Sequence, residues 1–218
     1  MKVPVLKDIT NANDAIAVQN RQALDKHGIL NINLMSSPGS GKTSLILQTI
    51  KHLGNKLRLA VIEGDVASKI DADRIGKEGI PVVQINTGGS CSLEAQMISK
   101  ALGNLPLPKI DVLIIENVGN LICPAAFALG EDKKVVIASI PEGDDKPAKY
   151  PVMFTEADVV IINKVDLAAY VDFDLPRFRK LVEGLNPKVK IFEVSCKTGE
   201  GINKWCTWLS SQAKKKRA

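Results

Sequence analysis

Ser36-Ser37-Pro38-Gly39-Ser40-Gly41-Lys42-Thr43 is the stretch that decides the fold. The apolar run Ile29-Leu30-Asn31-Ile32-Asn33-Leu34-Met35 precedes it and reads as a buried strand. Ser44-Leu45-Ile46-Leu47-Gln48-Thr49-Ile50 follows it and reads as a helix starting at Thr43. Strand, glycine-rich loop, Gly-Lys-Thr and helix together are the context of a phosphate-binding P-loop. Glycines let successive backbone N–H groups turn inward on phosphate oxygens, and the helix aims the positive end of its dipole at the same point. On this reading Lys42 reaches the β- and γ-phosphates, and the Thr43 hydroxyl serves Mg²⁺. Residues Ser37, Pro38, Gly39, Ser40, Gly41 and Ser44 complete the phosphate cradle. The first glycine of the motif is Ser36 here.

The strand–helix alternation continues without a break through 218 residues, which favours one α/β domain. The expected architecture is a three-layer P-loop NTPase fold, a mostly parallel central sheet flanked by helices. Residues 1–28 form a helical segment ahead of the core, with the helix over Asn11–Lys26; 29–213 form the nucleotide-binding domain, and 214–218 a basic tail. No apolar run approaches the length of a membrane span, and Met1–Asp8 has no signal-peptide core, so a cytoplasmic protein is expected. Four of the five net positive charges sit in Lys214, Lys215, Lys216 and Arg217, leaving the body nearly neutral. Those four are expected to be a frayed, solvated terminus. With aromatics at only 4%, there is no base-stacking surface, and no nucleic-acid partner is expected.

Further along, Leu57–Ile62 reads as a strand followed by Glu63-Gly64-Asp65, where Asp65 is either a Mg²⁺ or water ligand or an ordinary turn residue. Asn86-Thr87-Gly88-Gly89-Ser90-Cys91 opens a helix expected over Leu93–Leu102. That placement makes Cys91 a candidate metal ligand or reactive thiol. Val112–Ile115 is a strand followed by Glu116-Asn117-Val118-Gly119, an acidic residue to support Mg²⁺ and a glycine to contact the γ-phosphate. Cys123 lies four residues beyond Gly119, so a metal held there would sense the nucleotide. No Cys-x-x-Cys pair exists, and disulfides are not expected in a cytosolic chain. Cys206 reads as a small buried hydrophobe, while His27 and His52 sit at helix ends without a metal motif. The charged loop Pro141–Pro147 is either a solvated turn or a contact to nucleotide or a second subunit.

Ala157–Ile162 is a strand ending in Asn163-Lys164-Val165-Asp166. Asp166 accepts hydrogen bonds from guanine N1–H and the exocyclic amine, a donor pair adenine lacks; Asn163 meets the base edge and the Lys164 stem lies along the ring. An unpaired buried polar group costs about 1–3 kcal/mol, enough to select guanine. Ser195-Cys196-Lys197 follows the last strand and closes its backbone on the base, with Cys196 in place of a small alanine. No strong base for an attacking water is evident, so slow intrinsic GTP hydrolysis is expected.

These motifs together resemble the HypB family, GTPases that support nickel insertion into [NiFe]-hydrogenase. The match runs over nearly the whole chain, most specifically at Asn33–Thr43, Glu63-Gly64-Asp65, Asn86–Gly89, Glu116–Pro124 and Pro141–Asp145. Serine at position 36 is normal for that family. The resemblance implies GTP and GDP as ligands, Mg²⁺ at Thr43, Asp65 and Glu116, and a homodimer formed with GTP. It also implies a nickel or zinc site at the dimer interface, carried by Cys91 and Cys123. Partners implied are a HypA-like zinc-containing nickel chaperone and the hydrogenase large subunit as client. A urease-type nickel client, or a GTP-regulated module without metal cargo, is the alternative. Two departures stand out. Ser92, and Ser99 or Lys100, occupy places where the family carries histidines, and no N-terminal cysteine or polyhistidine segment is present.

Overall fold

The computed structural model describes residues 8–66 and 69–217, with side chains described from residue 12. The signal-peptide reading of the first residues lies outside them. The strands are β1 (Leu30–Ser36), β2 (Leu59–Asp65), β3 (Val82–Asn86), β4 (Val112–Glu116), β5 (Lys133–Ser139), β6 (Val159–Asn163) and β7 (Lys190–Glu193). They form one seven-stranded sheet in the order β3-β2-β4-β1-β5-β6-β7. Every pairing is parallel, so the sheet is wholly rather than mostly parallel. Parallel strands need crossovers on both faces, which is why β1, β4 and β6 are buried along their whole length and rich in Ile, Leu and Val.

The helices are α1 (Asp8–Asp25), α2 (Lys42–Leu53), α3 (Ile70–Gly76), α4 (Ala95–Leu102), α5 (Cys123–Ala126), α6 (Lys146–Lys149), α7 (Pro151–Thr155), α8 (Leu175–Leu185) and α9 (Ile202–Arg217). One face of the sheet carries Ile32, Leu34, Val61, Ile114 and Ile137 beneath Leu45 and Ile46 of α2 and Trp205 and Leu209 of α9. The Trp205 indole N–H donates to Thr49 Oγ1 at 2.9 Å and locks the two helices together.

The opposite face is divided. Leu24, Ile62, Ile98 and Ile115 make one apolar cluster, and Met35, Val136, Phe154, Ile162 and Phe178 make another. Between them runs a polar seam from the central strand, where Asn31 and Asn33 are fully buried. The Asn31 and Asn33 amides donate to Gly130 O and Glu131 Oε1, each at 3.4 Å. Asn33 Oδ1 accepts from the Asn117 amide at 3.2 Å.

The basic residues 214–217 are not a frayed tail. They are the last turn of α9, where cations favour the helix dipole. Lys216 pairs with Asp25 and, at 2.7 Å, with Asp132, while Arg217 pairs with Asp111. Asp111 is buried, the Asp132 side chain is only 7% exposed, and both are already used, by Arg58 and by the Asn31 N–H respectively, so the acids at this edge of the sheet need cations. Lys216→Ala should therefore lower the unfolding free energy by about 1 kcal/mol, the upper end for ordinary ion pairs, in urea denaturation. Lys215→Ala, at an exposed neighbour, should leave it unchanged.

Candidate functional site

The P-loop leaves the C-terminal end of the central strand β1 and enters α2, at the crevice where open parallel sheets hold their ligands. A cavity of about 430 Å³ lies there, lined by Pro38, Lys42, Thr43, Glu63, Asp65, Glu116 and Gly119 among others. The structure thus brings the phosphate-site residues together: Lys42, Thr43, Asp65, Glu116 and Gly119 share one cavity. Asp65 is the last residue of β2 rather than a turn residue beyond it.

Ser36 explains its own presence. Its hydroxyl accepts from the Lys42 ammonium at 3.2 Å and donates to Ser37 O at 2.7 Å, a bond glycine could not supply. Burial pushes the Lys42 pKa down, against the pull of Glu116, Asp71 and Glu63. Thr43 Oγ1 donates to Glu116 Oε1 at 2.9 Å, joining the first turn of α2 to the end of β4. Gly119 is forced by close approach: a Cβ there would stand 2.9 Å from Pro38 Cγ and 3.0 Å from its nitrogen. The acidic-glycine segment therefore lies directly against the phosphate loop.

Sequence reasoning missed Glu63. It is buried on β2, in register with Glu116 on β4, so both side chains leave the same face of the sheet. Burial, with Glu116 as the next cause, pushes the Glu63 pKa up to about 8. Burial likewise raises Glu116 to about 7, opposed by Lys42 and by the Thr43 bond. Glu63 Oε2 and Glu116 Oε2 are buried without a hydrogen-bond partner. Two orphaned carboxylate oxygens beside a threonine hydroxyl are a hard-oxygen set that suits a divalent cation. The signal for Glu63 was present, because a glutamate inside an apolar strand run is anomalous.

The base end is equally built. The Asn163 amide donates to Ser40 O at 2.9 Å and accepts from the Cys196 N–H at 3.2 Å. Lys164, with φ of 62°, donates to Gly39 O at 2.7 Å. Ser195 Oγ donates to Asp166 Oδ1 at 2.5 Å, holding the carboxylate in place. Cys196 O accepts from the Gln48 amide at 2.7 Å, and burial raises the Cys196 thiol to about 11. Lys197 is exposed at the loop's outer side.

The 141–147 loop is not a solvated turn. Glu142 Oε2 accepts from Ser139 N at 2.8 Å, from Ser139 Oγ at 2.9 Å and from the buried Ser40 hydroxyl at 2.9 Å. Asp144 accepts from Asp174 N at 3.1 Å at the start of α8. The loop braces the P-loop from β5.

Two expectations for the cysteines need correction. Cys91 and Cys123 are joined as a disulfide, with Cα atoms 6.2 Å apart, where free thiols were expected. The reason is convergence. The loops after β3 and β4 meet at the sheet's C-terminal edge, within disulfide reach. Cys91 also does not start a helix, since α4 begins at Ala95. The preceding residues are held instead by Asn117 Oδ1, which accepts from Leu93 N at 3.0 Å, and by Asn13 Oδ1, which accepts from Ala95 N at 2.9 Å. Ser92 is buried beside them rather than facing the cysteines' exposed surface. Among the described residues no group of three or more His, Cys, Asp or Glu could hold a metal ion.

Sheet order, phosphate loop and base motif define a P-loop nucleotide-binding domain. The CobW/HypB/UreG nucleotide-binding domain model matches residues 30–193. The chain belongs to the HypB hydrogenase maturation factors of that family. It is 48% identical over 206 residues to hydrogenase maturation factor HypB of Azotobacter vinelandii, covering 94% of this chain and 68% of that protein. It is 40% identical to the hydrogenase/urease maturation factor HypB of Helicobacter pylori, covering 95% of this chain and 86% of that one. The crystal structure of Helicobacter pylori HypB in complex with nickel superposes with a TM-score of 0.89 at 39% identity, over 94% of this chain and 96% of that chain. No helix among the described residues is long and apolar enough to cross a membrane.

Because Glu142 carries three donors on one oxygen, Glu142→Ala should strand the Ser139 N–H and leave the Ser40 hydroxyl with Ser37 O alone. We expect a loss of about 1–3 kcal/mol in urea unfolding, with weaker nucleotide binding by fluorescence titration. Asp145→Ala, at an exposed neighbour in the same loop, should leave nucleotide binding unchanged.

Proposed function

We propose that the chain is a Mg²⁺-dependent, slow GTPase that delivers nickel during [NiFe]-hydrogenase maturation, dimerising with GTP to load or release the metal. The observation that carries the reading is the contact of Gly119 with Pro38, four residues before Cys123. Nucleotide state and cysteine geometry are thereby mechanically joined. Lys42 and the loop N–H groups hold the β- and γ-phosphates. Thr43, Asp65 and Glu116 would hold Mg²⁺, which would neutralise charge developing on the phosphates. Asp166 accepts from the guanine edge, Asn163 fixes the base side of the loop, and the Lys164 stem flanks the ring. Ser195 keeps Asp166 oriented, and the Cys196 backbone closes the base site together with Lys197.

Reduction of the disulfide frees two thiolates per chain. Two chains supply four, a set suited to tetrahedral Zn²⁺ or square-planar Ni²⁺. A HypA-like zinc-containing chaperone as donor, the hydrogenase large subunit as client and a cytoplasmic location complete the proposal. A urease-type client is supported by the Helicobacter pylori relative, a hydrogenase/urease maturation factor.

Guanine selection is tested by Asp166→Asn. GTP affinity should fall at least tenfold while ATP affinity stays low, and equal wild-type affinity for ATP and GTP would sink the assignment. The metal assignment is tested on phosphine-reduced protein by equilibrium dialysis with Ni²⁺ and Zn²⁺, with and without a non-hydrolysable GTP analogue. Cys91→Ala and Cys123→Ala should each abolish micromolar binding. Light scattering with the analogue should give twice the monomer mass.

A further inference from the structure

Glu63 is not among the residues assigned above to hold the cation, yet it is buried with one oxygen lacking a partner. Its residue is 2% exposed and Glu116 is 4% exposed, and the two are nearest neighbours across parallel strands. Just below them on the same face the register brings Val61 and Ile114 together, in the apolar layer under α2. A row that would ordinarily continue with aliphatic side chains carries two acids instead. Each acid keeps one buried oxygen without a partner. Breaking such burial is expensive only when the charge is needed; replacing it with a neutral group of the same shape is commonly neutral or stabilising. A glutamate retained there is therefore explained by something that arrives, not by the empty fold.

Neighbouring residues say where that something sits. Glu63 lines the same cavity as Lys42, Thr43, Asp65 and Glu116. Gly64, the next residue, is compelled by packing, since a Cβ there would come within 2.7 Å of Leu93 Cδ1. Leu93 is in turn fixed by its N–H bond to Asn117 Oδ1. The Glu-Gly-Asp stretch is thus clamped on one face by Leu93, and its two acids are presented to the cavity around that clamp.

We propose that Glu63 is a positioning residue of the cation site, its unpaired oxygen accepting from water carried by the divalent ion that Thr43, Asp65 and Glu116 hold. The assignment rests on the Mg²⁺ reading above. Mg²⁺ gives up its waters reluctantly and is usually bound with several of them still attached, so acceptors one shell out are part of its selectivity. Glu63 supplies that acceptor from the strand next to Glu116. It makes the cavity select a hydrated small dication rather than a bare charge.

The test is Mg²⁺ titration of the affinity for a fluorescent GTP analogue, on the full chain, with Glu63→Gln, Glu63→Asp and Glu116→Gln. For Glu63→Gln we expect the half-saturating Mg²⁺ concentration to rise about tenfold, with Mg²⁺-free nucleotide affinity unchanged. Glu63→Asp, which keeps the acceptor, should recover part of the loss. The empty Glu63→Gln protein should melt at or above the wild-type temperature, which a purely structural glutamate would not do. An unchanged Mg²⁺ requirement in Glu63→Gln, with a raised one in Glu116→Gln, overturns the role of Glu63 alone. An unchanged requirement in both overturns the Mg²⁺ reading and this assignment with it.

Discussion

Two carboxylates side by side in an open parallel sheet are the constraint around which the nucleotide end of this molecule is arranged. An acid buried without a partner loses hydration that an apolar layer cannot replace, and a second acid beside it adds repulsion. Burial raises both Glu63 and Glu116 toward neutrality in the empty cavity, with repulsion from Glu116 adding to the rise of Glu63 and that from Asp71 and Asp65 adding to the rise of Glu116. Relief comes from three directions. Lys42 supplies a cation, Thr43 a hydrogen bond to Glu116, and the cavity an opening to ligand. The start of α2 has to stand over this pair, and the P-loop that leads into it has to be short and turn tightly. The site is stressed by its own contents and relaxed by what it binds.

Asn117 gives that stress a route outward. One side chain bridges the central strand through Asn33, the segment before α4 through Leu93, and its own following residue through the Val118 N–H at 2.9 Å. The two cysteine-bearing loops therefore hang from one buried amide. Gly119 against Pro38 adds a second contact from the same segment to the phosphate loop.

Much of this was readable from the chain itself. The P-loop, the acidic-glycine segment and the base motif announced themselves because each needs particular residues at fixed spacing after a strand. Continuous apolar runs gave the parallel sheet for the same reason. What could not be read were pairings between distant segments. Glu63 looked like part of a turn until β2 was seen to continue through Asp65. Glu142 looked like one charge among several until its oxygen was found on Ser40. The Lys214–Arg217 run looked solvated because its acidic partners, Asp25, Asp111 and Asp132, lie about 80 to 190 positions earlier along the chain. Cys91 and Cys123 carried no mark of their proximity, which depends on where two loops end at one sheet edge.

The seam of Asn31 and Asn33 has a meaning for motion as well as packing. It separates the apolar clusters on one face, leaving α4 and the segment after Cys91 resting on Ile62, Ile98 and Ile115, and α5, which begins at Cys123, resting with the base-motif side on Phe154, Ile162 and Phe178. Hydrophobic contact is what makes neighbouring elements open together, and hydrogen-bonded amides do not spread cooperativity in the same way. A face divided along its central strand can breathe by halves. The disulfide between Cys91 and Cys123 then spans the division, a covalent tie between elements that rest on separate apolar clusters.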